Sequence, residues 1–429
     1  MRDVCNAKGN RKPSRRLKYV APPPPLPLEI WRIICDQLAE DNFRGSDGTY
    51  SDNRDCQLRP ARTKARQALK ALCRVSWGIA KMAQAALFKC YHMGDHQERR
   101  TFIQYLGAVL DSPRLAGYTK ELVLDEPVFP GYKGYKRELC PLLTTKAEFA
   151  AAYARVAARL GFDESRFPLD FMEQGELQPR STARLPSTLL LAPALLPNLE
   201  RLGIGMTSKQ GRPFKLLQQL HALGVVEPFW RVKELTLKFY LWEAPTIVLT
   251  RLAPLLALVP NLTTLRLYAF PGLDAADQGF IEVVREGMPP GLHTLEVRDG
   301  YLEDHTVDAL LRCCPSGLER FVYVSTVVRP DFPQLGAEVT PRQLVRRLLA
   351  RSGDTLRAVE LDYSEERDRH RERGNSEDYE TNLAMADEEY GTKLTMADFA
   401  GFAALETMVH LPYVRDDSWS WPSPSPSPD

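Results

Sequence analysis

The sequence predicts an α/β solenoid, in which strand–helix units stack one after another behind a small three-helix region. One observation is a frame of the form LxxLxL, which occurs six times from residue 199 onward and once more in a weaker form. The frames begin at Leu199, Val232, Leu262, Leu292, Leu318, Leu356 and Leu405. A second observation is the helical apolar spacing of the segments between frames, at residues 249–259, 274–288, 304–314 and 341–353. Strand and helix recurring in this way predict parallel strands on a concave face and helices outside.

Composition places the chain among ordinary globular proteins. Its 429 residues, 44% hydrophobic and 26% charged, are enough for two or three domains or one long repeat array. The net charge of +1 excludes a globally basic or acidic protein, although the first twenty residues carry seven basic side chains against one acidic one. No apolar run approaches the ~18 residues of a membrane span. The eight cysteines include no CxxC pair, which favours a reducing compartment, so we expect a cytoplasmic and/or nuclear protein.

The N-terminal part begins with a tail and a very apolar helix. Residues 1–25 are basic, then proline-rich, and have no apolar period, which predicts disorder. Pro27 suits the first turn of a helix, because its missing N–H costs nothing there, and the helix is predicted from Pro27 to Leu38. Its apolar residues cover well over half the circumference, more than the ≳100° stripe that one core needs. The surplus requires a second apolar surface, supplied either by the chain itself or by a partner.

A predicted loop separates this helix from the next ones. Residues 39–66 are rich in Gly, Asp, Ser, Asn and Arg and lack apolar period. Helical spacing returns at Ala68 and continues to Phe88, and another helix is predicted from Glu98 to Leu110. The loop is therefore predicted to be an insertion between helices that belong together.

The stretches LPLEIWRIICDQL and ALKALCRVSWGIAKMAQAALFKCYHM together resemble an F-box. The positions that match the pattern of that family are Leu26, Pro27, Glu29, Ile30, Ile33, Ile34, Leu38, Leu69, Leu72, Val75, Ser76, Ala80, Leu87 and Phe88. The chain departs from the pattern through the inserted loop and through Trp77, which follows Ser76 directly. With the repeats behind it, the chain from about residue 26 to residue 412 resembles fungal F-box proteins that carry a degenerate leucine-rich-repeat domain.

This resemblance implies a function. In that family the F-box binds the Skp adaptor of a cullin-RING (SCF) ubiquitin ligase, and the repeats recruit a protein substrate. It implies a substrate-recognition subunit that is not an enzyme and needs no cofactor, with a Skp-type adaptor and a cullin scaffold as partners. The adaptor-binding positions that it implies are Leu26, Pro27, Leu28, Ile30, Ile33, Ile34, Leu72, Val75 and Leu87, with Leu69 and Phe88 holding the module together. The alternatives are a scaffold or transport protein that acts without ubiquitin transfer, and a repeat protein with no adaptor.

The predicted domains follow from these patterns. The F-box covers residues 26–93 and the irregular leucine-rich repeats cover residues 94–412, with a further strand in the stretch 119–127. Two insertions interrupt the repeats, at about 128–192, which includes a helix from Lys146 to Leu160, and at about 364–392, which is highly charged. Residues 413–429 are rich in Ser and Pro and predict a disordered tail.

Residues between the buried apolar positions of each strand should face outward on the concave side. These candidate substrate-binding residues are Thr236, Lys238, Arg266, Tyr268, Glu296, Arg298, Val322, Glu360 and Asp362. Their mixed charges favour a polar protein epitope over nucleic acid, and neither a nucleic acid nor a membrane is expected as a partner.

Motifs for catalysis or metal binding are weak in the sequence. No phosphate-binding loop, HExxH or G-x-S-x-G motif occurs, and Gly203-Ile204-Gly205 favours a turn after a strand. His92 and His96 have the spacing of two metal ligands on a helix, but Gly94 intervenes and no third ligand is near in sequence. Cys313-Cys314 lacks an evident base. The sequence therefore predicts no catalytic residue and no metal site, while a hydrolase using Cys313 or His92 remains a third class to test.

Overall fold

The computed structural model describes residues 26–43, 63–93, 98–124, 146–163, 187–206, 211–239, 253–270, 289–300, 302–312, 314, 317–325, 339–363, 394 and 396–409. Within them lies a sheet of nine parallel strands in chain order, in which each strand pairs with its neighbours in sequence. The strands are β1 Cys90–Met93, β2 Glu121–Leu124, β3 Arg201–Met206, β4 Glu234–Phe239, β5 Thr264–Tyr268, β6 Thr294–Gly300, β7 Arg320–Ser325, β8 Ala358–Asp362 and β9 Thr407–Val409. The chain is an α/β protein, as predicted.

The LxxLxL frames form strands β3 to β9. The second and third apolar residues of each frame lie two apart, on the same face of the strand, and they are in register across strands: Leu202 pairs with Leu235, which pairs with Leu265. The same row continues through Leu295, Phe321, Val359 and Met408. The first residue of a frame, such as Val232, lies before the strand and is fully buried as well.

The helices that build the large core pack on this apolar face. In the described residues the helices are α1 Leu28–Phe43, α2 residues 63–72, α3 Trp77–Phe88, α4 Glu98–Asp111, α5 Pro113–Ala116, α6 Lys146–Leu160, a 3-10 helix Ser187–Leu195, α7 Gly211–Ala222, α8 Ala253–Ala257, α9 Asp304–Arg312, α10 Pro341–Ser352 and α11 Met396–Phe399. Phe102 and Leu106 of α4 and Leu344 and Leu348 of α10 are buried with the strand leucines in one cluster. The opposite face of the sheet therefore carries the side chains between the frame residues.

The first three helices enclose a separate, smaller core. Its buried members are Cys35 and Ala39 of α1, Leu69 of α2, and Ala83 and Ala86 of α3. All of these except Leu69 are small, which lets the helices approach closely. The Ser76 side chain caps α3 by accepting the Ile79 N–H at 3.4 Å, which fixes where that helix begins.

A cluster of three aromatic side chains connects the small helical region to the sheet. The ring of Tyr105 stacks on Tyr91 of β1 at 4.3 Å between centroids and on Phe88 of α3 at 5.8 Å. The Tyr105 hydroxyl lies 2.8 Å from Thr119 Oγ1. The Thr119 hydroxyl in turn donates to the Phe88 carbonyl at 2.9 Å. The end of α3 is thereby held against both α4 and the first strand.

Several predicted boundaries differ from the structure. The sequence predicts a loop over 39–66, whereas α1 continues to Phe43 and α2 begins at residue 63, because Ala39 and Ala65 complete the buried stripes that Cys35 and Leu69 begin. The predicted F-box region extends to residue 93, whereas Cys90–Met93 form the edge strand of the sheet. Within the predicted insertion 128–192, the helix Lys146–Leu160 is confirmed, and the 3-10 helix Ser187–Leu195 was not predicted.

Other predicted segments lie outside the described residues. These are residues 1–25, the helix at 274–288, the insertion at 364–392 and the tail at 413–429. Helices α9 and α10 form where the sequence predicts them, and α8 covers only five residues of the predicted segment 249–259. In the described part of the chain, no helix is long and apolar enough to cross a membrane.

Candidate functional site

Large apolar side chains of the first helices are exposed. Leu26, Leu28, Ile30, Ile33, Val75 and Trp77 make up this group, which we call the exposed apolar set. Among the described residues, Leu223 and Trp230 are the other two large hydrophobic side chains with comparable exposure. Because single exposed hydrophobics are normal but a concentration of them is not, the exposed apolar set is a candidate interaction surface.

Helix α1 is apolar on two sides. Cys35 and Ala39, which are 1% and 0% exposed, face the small core. At ~100° of rotation per residue, Ile30 and Ile33 lie on roughly the opposite side of the helix. Ile33 is 63% exposed, so the second apolar side has no cover within the described residues. The surplus of apolar residues in the sequence of α1 therefore corresponds to an uncovered face.

The starts of α1 and α3 lie close together. A methyl group placed on Gly78 would lie 3.6 Å from Leu28 Cδ2, an ordinary van der Waals distance. Trp77, which precedes Gly78, is 79% exposed, and the Lys81 ammonium group lies 4.9 Å from its ring centroid. The exposed apolar set thus extends from α1 onto the first turn of α3.

The structure exposes most of the positions that the resemblance implies for adaptor binding. Leu26, Pro27, Leu28, Ile30, Ile33 and Val75 are exposed, whereas Ile34, Leu72 and Leu87 are half-buried. Leu69 lies fully buried in the small core, but Phe88 packs against the large core instead. Trp77 was missed among the candidates, although an aromatic residue directly after a helix-capping serine was a signal in the sequence.

The sheet face opposite the helices carries a network of ion pairs across β4 to β8. Its members are Glu234, Arg266, Glu296, Arg298, Arg320 and Glu360, which we call the ion-pair ladder. Arg266 lies between two carboxylates, with Nη1 2.7 Å from Glu234 and Nε 3.3 Å from Glu296. Burial alone would lower the pKa of the Arg266 guanidinium. The negative charges of Glu296 and Glu234 have the larger effect, so the pKa is raised. Three arginines and three glutamates balance within the ladder.

The predicted substrate-binding residues therefore differ in how accessible their side chains are and in whether they form ion pairs. Arg266, Glu296, Arg298 and Glu360 pair with one another, and Thr236, Lys238 and Asp362 are half-buried. Tyr268 and Val322 share the strand face of Arg266 and Glu296, but they are only 2% and 0% exposed, so neither side chain is accessible there. Each lies in register between long side chains: Tyr268 between Lys238 and Arg298, and Val322 between Glu296 and Glu360. The longer side chains on the neighbouring strands therefore flank Tyr268 and Val322 on both sides.

At the β1 end of the same face, three potential metal ligands meet. Cys90 and His92 alternate with Tyr91 and share a face, and Glu121 is the partner of Cys90 in register. The ligand atoms of Cys90, His92 and Glu121 all lie within 4.8 Å of one another. His92 Nε2 is 2.9 Å from Glu121 Oε1, and Arg201 Nη2 is 2.6 Å from Glu121 Oε2. The sequence gives His92 as one of two surface histidines, whereas its side chain is only 14% exposed.

Burial is the largest influence on the pKa of the Cys90 thiol. Cys90 is 4% exposed, and its burial, together with the charge of Glu121, raises the pKa of the thiol well above its ordinary value. Without a metal ion, the thiol therefore stays protonated near neutral pH. A nucleophilic cysteine needs the opposite shift.

The remaining motifs have structural explanations or lie outside the described residues. Gly203 lies inside β3 rather than in a turn after it, and a Cβ there would be 3.1 Å from both Cγ atoms of Val123 on β2. The Cys314 thiol is buried and contacts the Leu310 carbonyl at 3.6 Å. His96 and Cys313 are not among the described residues.

Comparison of the chain with models of protein families found no match, and comparison with curated protein sequences found none either.

Proposed function

We propose that the chain is a non-catalytic substrate-recognition subunit of an SCF-type ubiquitin ligase. Its first three helices act as an F-box that binds a Skp-type adaptor, which connects the chain to a cullin scaffold. Behind them, the nine parallel strands act as an irregular leucine-rich-repeat solenoid that binds a protein substrate. This function places the chain in the cytoplasm and/or the nucleus.

The uncovered face of α1 supports this proposal most directly. The positions that the F-box resemblance assigns to the adaptor include Leu28, Ile30 and Ile33. Ile30 and Ile33 are exposed on the side of α1 opposite the small core, and Leu28 is exposed at the start of the helix. Full burial of one such side chain contributes roughly 1.5–3 kcal/mol. A partner that covers all three would gain several kcal/mol without any rearrangement of the small core.

The sheet supports a protein substrate rather than a nucleic acid. Nucleic-acid binding depends on an excess of basic side chains that neutralise phosphates. The ion-pair ladder is balanced, so this face offers neither sign of charge in excess. A polar protein epitope with groups of both signs fits such a surface, with Thr236, Lys238 and Asp362 as the candidate contacts.

The test of the adaptor role is co-purification of the full chain with a Skp-type adaptor. Ile33→Asp places a charge in the exposed apolar set and should abolish the complex. Leu223→Asp is the matched control, because Leu223 is exposed to 61%, nearly the same as Ile33 at 63%, but lies after α7. Failure of the unmodified chain to bind the adaptor, or equal loss in both variants, would refute the proposal.

A second experiment separates the ligase subunit from a scaffold. If the adaptor complex also recruits a cullin and a reconstituted ligase modifies a protein captured by the sheet, the chain is a ligase subunit. If the adaptor binds but the cullin is excluded, the chain is an adaptor-bound scaffold that acts without ubiquitin transfer.

A further inference from the structure

Strand pairing brings three metal-ligating side chains together where the small helical region joins the sheet. β1 follows α3 after a single residue, Lys89. The Lys89 carbonyl accepts backbone N–H groups of Lys120 and Glu121 at 2.9 and 3.2 Å. These hydrogen bonds fix the register in which Cys90 faces Glu121. The relative position of Cys90, His92 and Glu121 is therefore set by the backbone.

The spacing of the three side chains suits a small tetrahedral ion. In a tetrahedral zinc site, with metal–ligand distances of about 2.0–2.3 Å, neighbouring ligand atoms are about 3.3–3.6 Å apart. The sulfur of Cys90, the imidazole nitrogen of His92 and a carboxylate oxygen of Glu121 lie within 4.8 Å of one another. The closest pair, His92 Nε2 and Glu121 Oε1, is 2.9 Å apart. To hold an ion, the distance between His92 and Glu121 would have to widen by about 0.5 Å, and the distances to the Cys90 sulfur would have to shorten by up to about 1.2 Å.

The surroundings suit a ligand set of this kind. Cys90 and Glu121 are each 4% exposed, so bulk water competes little for the site. Arg201 holds the second carboxylate oxygen of Glu121 at 2.6 Å while the first faces His92. A charged partner of this kind orients the carboxylate, as the groups around metal-ligating carboxylates commonly do. A thiolate and a carboxylate together would neutralise a divalent cation.

We propose that Cys90, His92 and Glu121 form a binding site for a divalent transition-metal ion, with zinc as the best match. Sulfur and imidazole ligands favour zinc over magnesium or calcium, which prefer oxygen ligands alone. The chain supplies three ligands, and a water molecule completes the tetrahedron. On binding, the Cys90 thiol loses its proton to solvent. The proton on His92 Nε2, which faces Glu121, also leaves that nitrogen, and the neutral ring then carries its proton on Nδ1. The ion would tie β1 to β2 and so brace the junction with the helical region, independently of any adaptor.

The test uses the full chain, reduced and freed of metal with a chelator. Zinc is titrated in competition with a chromophoric chelator, and cobalt is titrated separately as a spectroscopic probe. We expect one equivalent of zinc to bind. We expect cobalt to give the visible bands of a four-coordinate site together with a thiolate charge-transfer band in the near ultraviolet. The cobalt spectrum needs no substitution, so it tests thiolate ligation even if a variant misfolds.

Matched variants identify the ligands. Changes to groups that merely orient a ligand weaken metal binding about 10–100-fold, so Cys90→Ser and Glu121→Gln should each weaken zinc binding by about 100-fold or more. Cys73→Ser and His293→Gln, which change a cysteine and a histidine elsewhere in the chain, should leave the affinity unchanged. The proposal is overturned if Cys90→Ser binds zinc as tightly as the unmodified chain. It is also overturned if cobalt binds without the thiolate band, because the three side chains would then form only a hydrogen-bonded cluster.

Discussion

Arg266 donates to Glu234 across the β4–β5 pair at 2.7 Å and reaches Glu296 of β6 at 3.3 Å from its Nε. Glu296 is the centre of the ion-pair ladder, since Arg298 and Arg320 also lie within 4 Å of it. Its side chain is 8% exposed, whereas those of Arg266 and Arg298 are 26% and 19% exposed. This largely buried carboxylate is therefore shared by three arginines, two of which also lie mostly out of water.

Replacement of this carboxylate should be costly. In Glu296→Ala, the guanidinium groups of Arg266 and Arg298 lose a charged acceptor at a site that is largely buried. We expect a loss of about 2–3 kcal/mol in the free energy of unfolding, measured by chemical denaturation. Glu319→Ala is the control, because the Glu319 side chain is 52% exposed and lies no closer than 3.9 Å to its ion-pair partner His293, so we expect it to cost less than about 0.5 kcal/mol. Equal effects of the two changes would show that the ladder contributes nothing beyond surface pairing.

The strands could be predicted from the sequence because each one repeats the same short pattern. Leu235 and Leu237, or Leu265 and Leu267, alternate with polar residues, and the frame places each such pair next to the following one. β1 could not be predicted in this way. It has four residues, follows directly on α3, and shows its alternation only through Cys90 and His92, which pair with a strand that begins at Glu121.

The burial of some side chains on the open sheet face could not be predicted from the sequence either. Alternation predicts that Tyr268 and Val322 share a face with Arg266 and Glu296, and they do. Alternation does not predict that the longer neighbouring side chains flank the shorter ones. In contrast, the exposed face of α1 could be anticipated, because one helix of that composition has more apolar surface than the small residues of its core can cover.

Close packing between β2 and β3 gives a prediction for Gly203. A methyl group at this position would lie 3.1 Å from both Cγ atoms of Val123, closer than ordinary contact. We expect Gly203→Ala to lower the free energy of unfolding by about 1–2 kcal/mol, measured by thermal or chemical denaturation. Gly291→Ala is the control, since its nearest neighbour, the Leu262 carbonyl oxygen, is 3.7 Å away. Combining Gly203→Ala with Val123→Ala should cost less than the sum of the two single changes. Additive costs would mean that the two positions do not contact each other.

The buried hydroxyl of Tyr105 should make stability depend on alkaline pH. Burial raises the pKa of this phenol far above its ordinary value, against the weaker opposing effect of the hydrogen bond with Thr119. The unfolded chain releases the proton above about pH 10, whereas the native state keeps it, so the native state binds more protons there and stability falls as the pH rises. Tyr105→Phe lacks this contribution.

The measurement is the free energy of unfolding of both chains across that range. At neutral pH, Tyr105→Phe should be less stable by about 0.5–1.5 kcal/mol, because the hydrogen bond to Thr119 is lost. Above about pH 10 the difference should shrink. A difference that stays constant with pH would show that the phenol ionises equally well in the native state.

The last prediction separates the fold of the small helical region from its exposed surface. Leu69 is 0% exposed in the small core and Ile33 is 63% exposed, although both belong to the same three helices. Leu69→Ala should destabilise the region by about 2–4 kcal/mol, since it leaves a cavity between α1, α2 and α3. Ile33→Ala should change stability by less than about 0.5 kcal/mol. Hydrogen exchange of the amides in α1 and α3 measures both effects locally. If Ile33→Ala loosened these helices as much as Leu69→Ala, the exposed face of α1 would be part of the fold of the free chain, and a loss of adaptor binding in Ile33→Asp would follow from unfolding rather than from a damaged docking surface.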